Sequence, residues 1–171
     1  MANNIEIKAR VADRSGLEPK VRKIADRGPV EIAQDDTFFA CPNGRLKLRE
    51  FADGSAELIF YQRADQSGPK NSFYQIVDVA NPADLRAALT LAYGIVGRVV
   101  KQRTLYLVGR TRIHLDRVDG LGDFMELEVV LADGDPVLAA EHEARDLMQT
   151  LGVRAEQLIA DAYIDLLNNR S

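Results

Sequence analysis

Cationic side chains at alternate positions can grip successive phosphates of a polyanion, and this chain carries several such sets. Arg45, Lys47 and Arg49 stand two residues apart, as do Lys101 with Arg103 and Arg110 with Arg112. In an extended chain, residues i, i+2 and i+4 share one face at about 7 Å intervals, a spacing that suits neighbouring phosphates. Acids recur with the same period at Glu126 and Glu128, and Glu6 alternates with Lys8 and Arg10. Two carboxylates on one strand face, with Glu6 as a third, offer the hard oxygen donors that Mg2+ or Mn2+ prefers when it bridges to substrate phosphates. Cations crowded on one face repel each other, so an anion, carboxylates or water must compensate them. The chemistry to expect is recognition of a polyanion through basic side chains and a divalent metal.

Only strands can present these groups. Between the ions stand Ile5 and Ile7, Leu46 and Leu48, Ile113 and Leu115, and Leu127 and Val129, so one sheet face is ionic and the other apolar. A solvated face accounts for any one such strand; recurrence in five stretches favours a site. If the sheet curls with its ionic face inward, the lumen becomes a basic channel with a carboxylate patch. Alternation and turn signals predict strands over 4–11, 30–39, 45–50, 57–63, 72–79, 96–108, 110–118 and 124–131. Asp53-Gly54 marks a hairpin, and 66–70 reads as a loop from which Lys70 could reach phosphates. Helices are predicted over 17–26, ended by Gly28-Pro29, over 81–93, capped by Asn81 with Pro82 following, and over 136–151 and 154–167. Strand runs without regular strand-helix alternation mean an α+β chain, and 171 residues read as one domain, 1–171.

Composition excludes several classes. A net charge of −4 is unlike a general nucleic-acid binder, although it allows a local basic channel. No apolar run approaches the roughly 18 residues of a membrane span, and no signal-peptide pattern opens the chain, so a cytoplasmic protein without a membrane partner is expected. Cys41, the only cysteine, excludes an intramolecular disulfide and reads as a turn residue beside Pro42. His114 and His142 are too far apart to indicate zinc by spacing, while His114, alternating with Arg112 and Asp116, could line the lumen. Phe38, Phe39 and Phe73 are read as core, with stacking on a base as the alternative.

Several ordered motifs resemble the CYTH group, named for class IV adenylyl cyclases and thiamine triphosphatases and also called triphosphate tunnel metalloenzymes. They are Asn4-Ile5-Glu6-Ile7-Lys8, similar to the group's E-x-E-x-K signature; Gly44 to Arg49; Tyr61-Gln62-Arg63; Lys101-Gln102-Arg103; Arg112 with Asp116; Leu121 to Glu128; and the ending Asp161 to Leu167. The resemblance implies a closed antiparallel eight-stranded β-barrel gripping a triphosphate, with flanking helices. It implies phosphate contacts from Lys8, Arg45, Lys47, Arg49, Arg63, Lys101, Arg103 and Arg112, with Lys70 as an additional candidate. Metal ligation is implied for Glu6, Glu126 and Glu128, with Asp116 as a weaker candidate. Asn4 departs from the pattern, standing where the signature has its first glutamate. The implied reaction is cyclisation of ATP to cyclic AMP and pyrophosphate, with hydrolysis of an inorganic or organic triphosphate such as thiamine triphosphate as the alternative. A non-catalytic polyphosphate- or nucleotide-binding barrel is the third reading. The expected partner is a nucleoside triphosphate or other triphosphate, not nucleic acid, and a homodimer is compatible with the sequence.

Overall fold

The computed structural model describes residues 2–170. Its strands are β1 (Ala2–Arg10), β2 (Arg27–Phe39), β3 (Arg45–Phe51), β4 (Ala56–Arg63), β5 (Lys70–Asp78), β6 (Ile95–Val108), β7 (Thr111–Val118) and β8 (Gly122–Leu131). They close into one barrel in the order β1-β5-β4-β3-β2-β6-β7-β8, and every neighbouring pair is antiparallel. Closure removes free sheet edges. The turn between β3 and β4 is made at Gly54, whose φ of +86° is a conformation that side chains with a Cβ rarely adopt.

The two-residue period sorts side chains strictly, because a one-residue slip would turn every charge outward. Ile5, Ile7, Ile113, Leu115 and Leu127 point away from the lumen, and two helices cover them: α1 (Arg14–Ile24), through Leu17 and Val21, and the long helix Val137–Thr150, through Ala140 and Ala144. In chain order the α-helices of the described residues are α1, α2 (Pro82–Tyr93), α3 (Val137–Thr150) and α4 (Tyr163–Asn168). Helix α2 lays Leu85 and Leu89 over Phe39, Leu48 and Ala56 on the outside of β2, β3 and the start of β4. Each fully buried aliphatic side chain contributes about 1.5–3 kcal/mol, so the hydrophobic core of this barrel is its jacket. Asn81 caps α2 as expected, its Oδ1 accepting from Asp84 N at 3.4 Å with Pro82 in the first turn, and Asp13 Oδ1 accepts from Gly16 N at 3.0 Å at the start of α1.

Three expectations require correction. The first helix starts three residues earlier than the predicted Leu17, because Asp13 caps it, and it ends at Ile24. Gly28-Pro29 does not terminate that helix; it lies inside β2, at a register irregularity between Arg27 and Val30. The predicted helix over 154–167 is broken into a 3-10 turn at Ala155–Gln157, an extended stretch and α4. That stretch is claimed by β1: Ile159 N donates to Lys8 O at 3.0 Å and Leu158 bridges Ala9. The chain thereby crosses one end of the barrel and packs Tyr163 and Ile164 with Phe38, Val99, Val118 and Phe124 as a plug. Gly97 permits this approach, since a Cβ there would lie 2.5 Å from Ile164 Cδ1.

Candidate active site in the barrel lumen

The inward face encloses a cavity of about 440 Å³, closed at one end by Ala162 and Tyr163. Lys8, Lys47, Arg49, Arg63, Lys101, Arg103 and Arg112 line it, as do Glu6, Glu126 and Glu128. The strand register sets Lys8 and His114 beside Glu126, and Glu6 and Arg112 beside Glu128. Arg45 and Lys70 do not line the cavity. Arg45 pairs with Asp165 of α4 at the plugged end, and Lys70, now the first residue of β5, donates to the carbonyls of Gln66 and Ala160, each at 3.3 Å. Phe38 and Phe39 are core residues, as expected, although Phe38 also borders the floor of the cavity.

Each lumen cation is tied to an acid. Asp36 is the hub of one cluster: its carboxylate accepts from Lys47 Nζ and from Arg49 Nε and Nη2, each at 2.8 Å, and lies 3.9 Å from Lys101 Nζ. Burial alone would raise the Asp36 pKa, but Arg49 and Lys47 outweigh it and hold the carboxyl well below the usual range. Asp116 is the second hub. It binds Arg103 bidentately at 2.7 and 2.6 Å and accepts from the Tyr163 hydroxyl at 2.9 Å, so both of its oxygens are engaged. Glu126 takes a further Arg103 bond at 2.6 Å and sits 3.1 Å from Lys8 Nζ; these two cations overcome its burial and keep it ionised. Arg63 donates to Glu6 at 2.6 Å while its Nε and Nη2, both buried, have no partner.

Asp36 and Tyr163 were missed as site residues by sequence reasoning. Asp36 falls in phase with Gln34 and Phe38, so the alternation carried its signal, but it stands as a single acid on that face, next to Asp35 on the other, and so has no recognisable spacing. Tyr163 could not be found by pattern, because its position depends on the crossing of the plugged end. There its ring receives the Lys8 and Lys101 ammonium groups at 4.0 and 5.2 Å from its centroid.

Burial, with Arg103 and Arg49 nearby, lowers the Lys101 ammonium to about 7; burial and Arg49 bring Lys47 to about 8, Asp36 offsetting part of the effect. An anion in the lumen favours the protonated lysines and raises these values. Above pH 7 the free protein must then take up protons to bind, so triphosphate affinity is expected to fall as pH rises from 7 to 9, by up to about tenfold per unit for each coupled lysine. Calorimetry in buffers of different ionisation enthalpy would reveal proton uptake; pH-independent binding would refute the coupling.

The fold and its ionic interior define a tunnel barrel, a closed antiparallel cylinder that keeps its charges inside. The CYTH domain family model matches residues 2–163, and the chain belongs to this family, whose enzymes include adenylyl cyclases and triphosphatases. The chain is 26% identical over 168 residues to "Adenylate cyclase CyaB" of Aeromonas hydrophila, covering 93% of this chain and 85% of that protein. The PH1012 protein of Pyrococcus horikoshii shares the fold, with a TM-score of 0.83 and 22% identity over 95% of this chain and 98% of its own. HpAC1 from Hippeastrum, described as having a dominant triphosphatase activity, aligns with a TM-score of 0.69 and 14% identity over 97% and 95%. Among the described residues, no helix is long and apolar enough to cross a membrane.

Proposed function

We propose that this protein is a metal-dependent enzyme that draws the triphosphate of a nucleotide into the lumen and acts as a class IV-type adenylyl cyclase, converting ATP to cyclic AMP and pyrophosphate. The observation that carries this reading is the arrangement of buried cations around a cavity bordered on one side by Glu126 and Glu128. Lys8, Lys47, Arg49, Arg63, Lys101, Arg103 and Arg112 are the proposed phosphate contacts, the anion exchanging with their carboxylate partners. Arg63 is poised for this role, having two donors free. We assign Lys70 and Arg45 to holding the end wall, and Asp116 to orienting Arg103, because their polar atoms are already engaged there.

The donors around Glu126 and Glu128 fit a divalent cation, since oxygens of both and a ring nitrogen of His114 lie within 4.8 Å of one another. Glu126 and Glu128 are the proposed ligands, with Glu6 at hand, and Mg2+ or Mn2+ the proposed ion. When bound, the ion supplies positive charge to phosphoryl oxygens. The lumen cations supply the rest of the electrostatic stabilisation, already oriented by their acids. Cyclisation requires the ribose 3′-hydroxyl to attack the α-phosphate and pyrophosphate to leave. Beyond Gln34 and Arg103, on the side away from Tyr163, Ile32, Phe51, Ile76 and Leu105 line an apolar stretch of cavity. Inorganic triphosphate has no use for such a surface, whereas an organic group does.

Incubation with ATP, thiamine triphosphate and inorganic triphosphate, each with Mg2+ or Mn2+, followed by chromatography and phosphorus NMR, tests the proposal. Cyclic AMP with pyrophosphate supports it; orthophosphate with a diphosphate replaces it with hydrolysis; and binding without products indicates a non-catalytic barrel.

Asn4 tests the metal reading from another side. It is buried, lines the cavity, and its Oδ1 has no hydrogen-bond partner. An amide adds no negative charge, so Asn4→Glu should lower the metal concentration needed for half-saturation by about tenfold. Calorimetric titration with Mn2+ measures this; an unchanged or raised value counts against it.

A further inference from the structure

His114 is the lumen group left without a task by the phosphate and carboxylate chemistry. It lies on β7, is 5% exposed, and its Nδ1 is buried without a hydrogen-bond partner. That nitrogen faces two carboxylates, 3.8 Å from Glu126 Oε2 and 3.7 Å from Glu128 Oε1. Both separations exceed hydrogen-bond length. A buried polar atom left in this state costs about 1–3 kcal/mol, so the geometry makes physical sense when something occupies the space between the three side chains. Donors that share one first-row cation, each at about 2.0–2.2 Å, lie about 3–4 Å from one another. The His114 to carboxylate distances fall in that interval.

We infer that His114 Nδ1 is a direct ligand of the divalent cation, together with Glu126 and Glu128, giving the tunnel a mixed imidazole and carboxylate site that discriminates against Mg2+. This rests on the metal-dependent reading of the lumen but extends it in identity of ligand and ion. Mg2+ is a hard ion that favours oxygen and keeps much of its water, whereas a ring nitrogen suits first-row transition ions, with affinity rising from Mn2+ towards Co2+ and Ni2+. Lys8 and Arg103 hold the two oxygens of Glu126 at 3.1 and 2.6 Å, so binding of the ion draws this carboxylate away from them and towards His114.

The test loads the full-length wild-type protein with Mn2+ and measures electron spin echo envelope modulation. Modulation from a directly coordinated nitrogen is expected. Replacing the nitrogen donor by an oxygen donor in His114→Gln should abolish it and lower the Mn2+ to Mg2+ affinity ratio, measured by calorimetry, by at least about tenfold. If Mn2+ binds without nitrogen modulation in the wild type, the inference fails while metal dependence stands. If no Mn2+ binds at millimolar concentration, both fall together. The spectroscopic result needs no variant, so poor folding of His114→Gln would not leave the question open; with a folded variant, an unchanged affinity ratio would overturn the claimed discrimination.

Discussion

Asp36→Asn is expected to destabilise the free protein by about 3–5 kcal/mol and, at the same time, to increase the stabilisation gained from triphosphate. Asp36 is 1% exposed and is the shared counter-ion of Lys47, Arg49 and Lys101. Removing one member of a buried ionic cluster leaves the others desolvated without compensation, which is costlier than the cluster was stabilising. For a chain of this size, each kcal/mol corresponds to about 2–4 °C, so the melting temperature should fall by about 6–20 °C. A triphosphate entering the lumen supplies the negative charge that was removed. In the wild type the anion competes with Asp36 for the same donors; in the variant it does not. Thermal unfolding with and without inorganic triphosphate distinguishes this from a simple packing defect. A variant that loses stability but gains no more from triphosphate than the wild type would mean that Asp36 is structural and that these three cations do not meet the anion.

Glu126→Gln should separate binding from turnover. The amide preserves the shape and a polar oxygen, but it removes the charge that neutralises Lys8 and Arg103. Those two cations become freer for phosphate, so the affinity for triphosphate in the absence of metal should hold or improve. Turnover should fall by at least about 100-fold, because metal-based charge stabilisation contributes several kcal/mol to such a reaction and about 1.4 kcal/mol is a factor of ten. Steady-state kinetics with calorimetry on the same preparation reads both quantities. Loss of binding with turnover per bound substrate unchanged would place Glu126 among the substrate contacts and exclude it from the metal site.

The two variants probe opposite sides of one design. Every lumen cation is held in place by a carboxylate before substrate arrives, which limits reorganisation when an anion replaces that carboxylate. Self-pairing also lets a chain of net charge −4 carry a lumen lined with lysine and arginine.

Much of this was legible in the residues. A two-residue period cannot be mistaken for a helical one over several strands, so the ionic and apolar faces, the strand positions and the inward set Lys47 and Arg49, Lys101 and Arg103, and Glu126 and Glu128 follow from alternation. Helix caps at Asp13 and Asn81 are local hydrogen bonds; Asn81 is legible because Pro82 follows it, whereas the first apolar residue after Asp13 is Leu17, four positions on, which places the apparent helix start too late. Gly28-Pro29 was misleading because the same dipeptide that stops a helix can also sit at an irregularity in a strand; which of these occurs depends on the neighbouring β6.

The sequence alone determined which faces of the strands are charged, because that depends only on period and residue type. The tertiary structure decided which charges meet. Strand register set Asp36 against Lys47 and Arg49 of β3 and, through the long-range pairing of β2 with β6, against Lys101; it set Asp116 opposite Arg103 across β6 and β7 and left the His114 nitrogen facing Glu126 and Glu128 of β8. The crossing of residues 158–162 over one end decided that Tyr163 would be the floor and that Arg45 would belong to the wall. Pairing between strands far apart in sequence is set by register, closure and packing of the whole chain, and no local pattern encodes it.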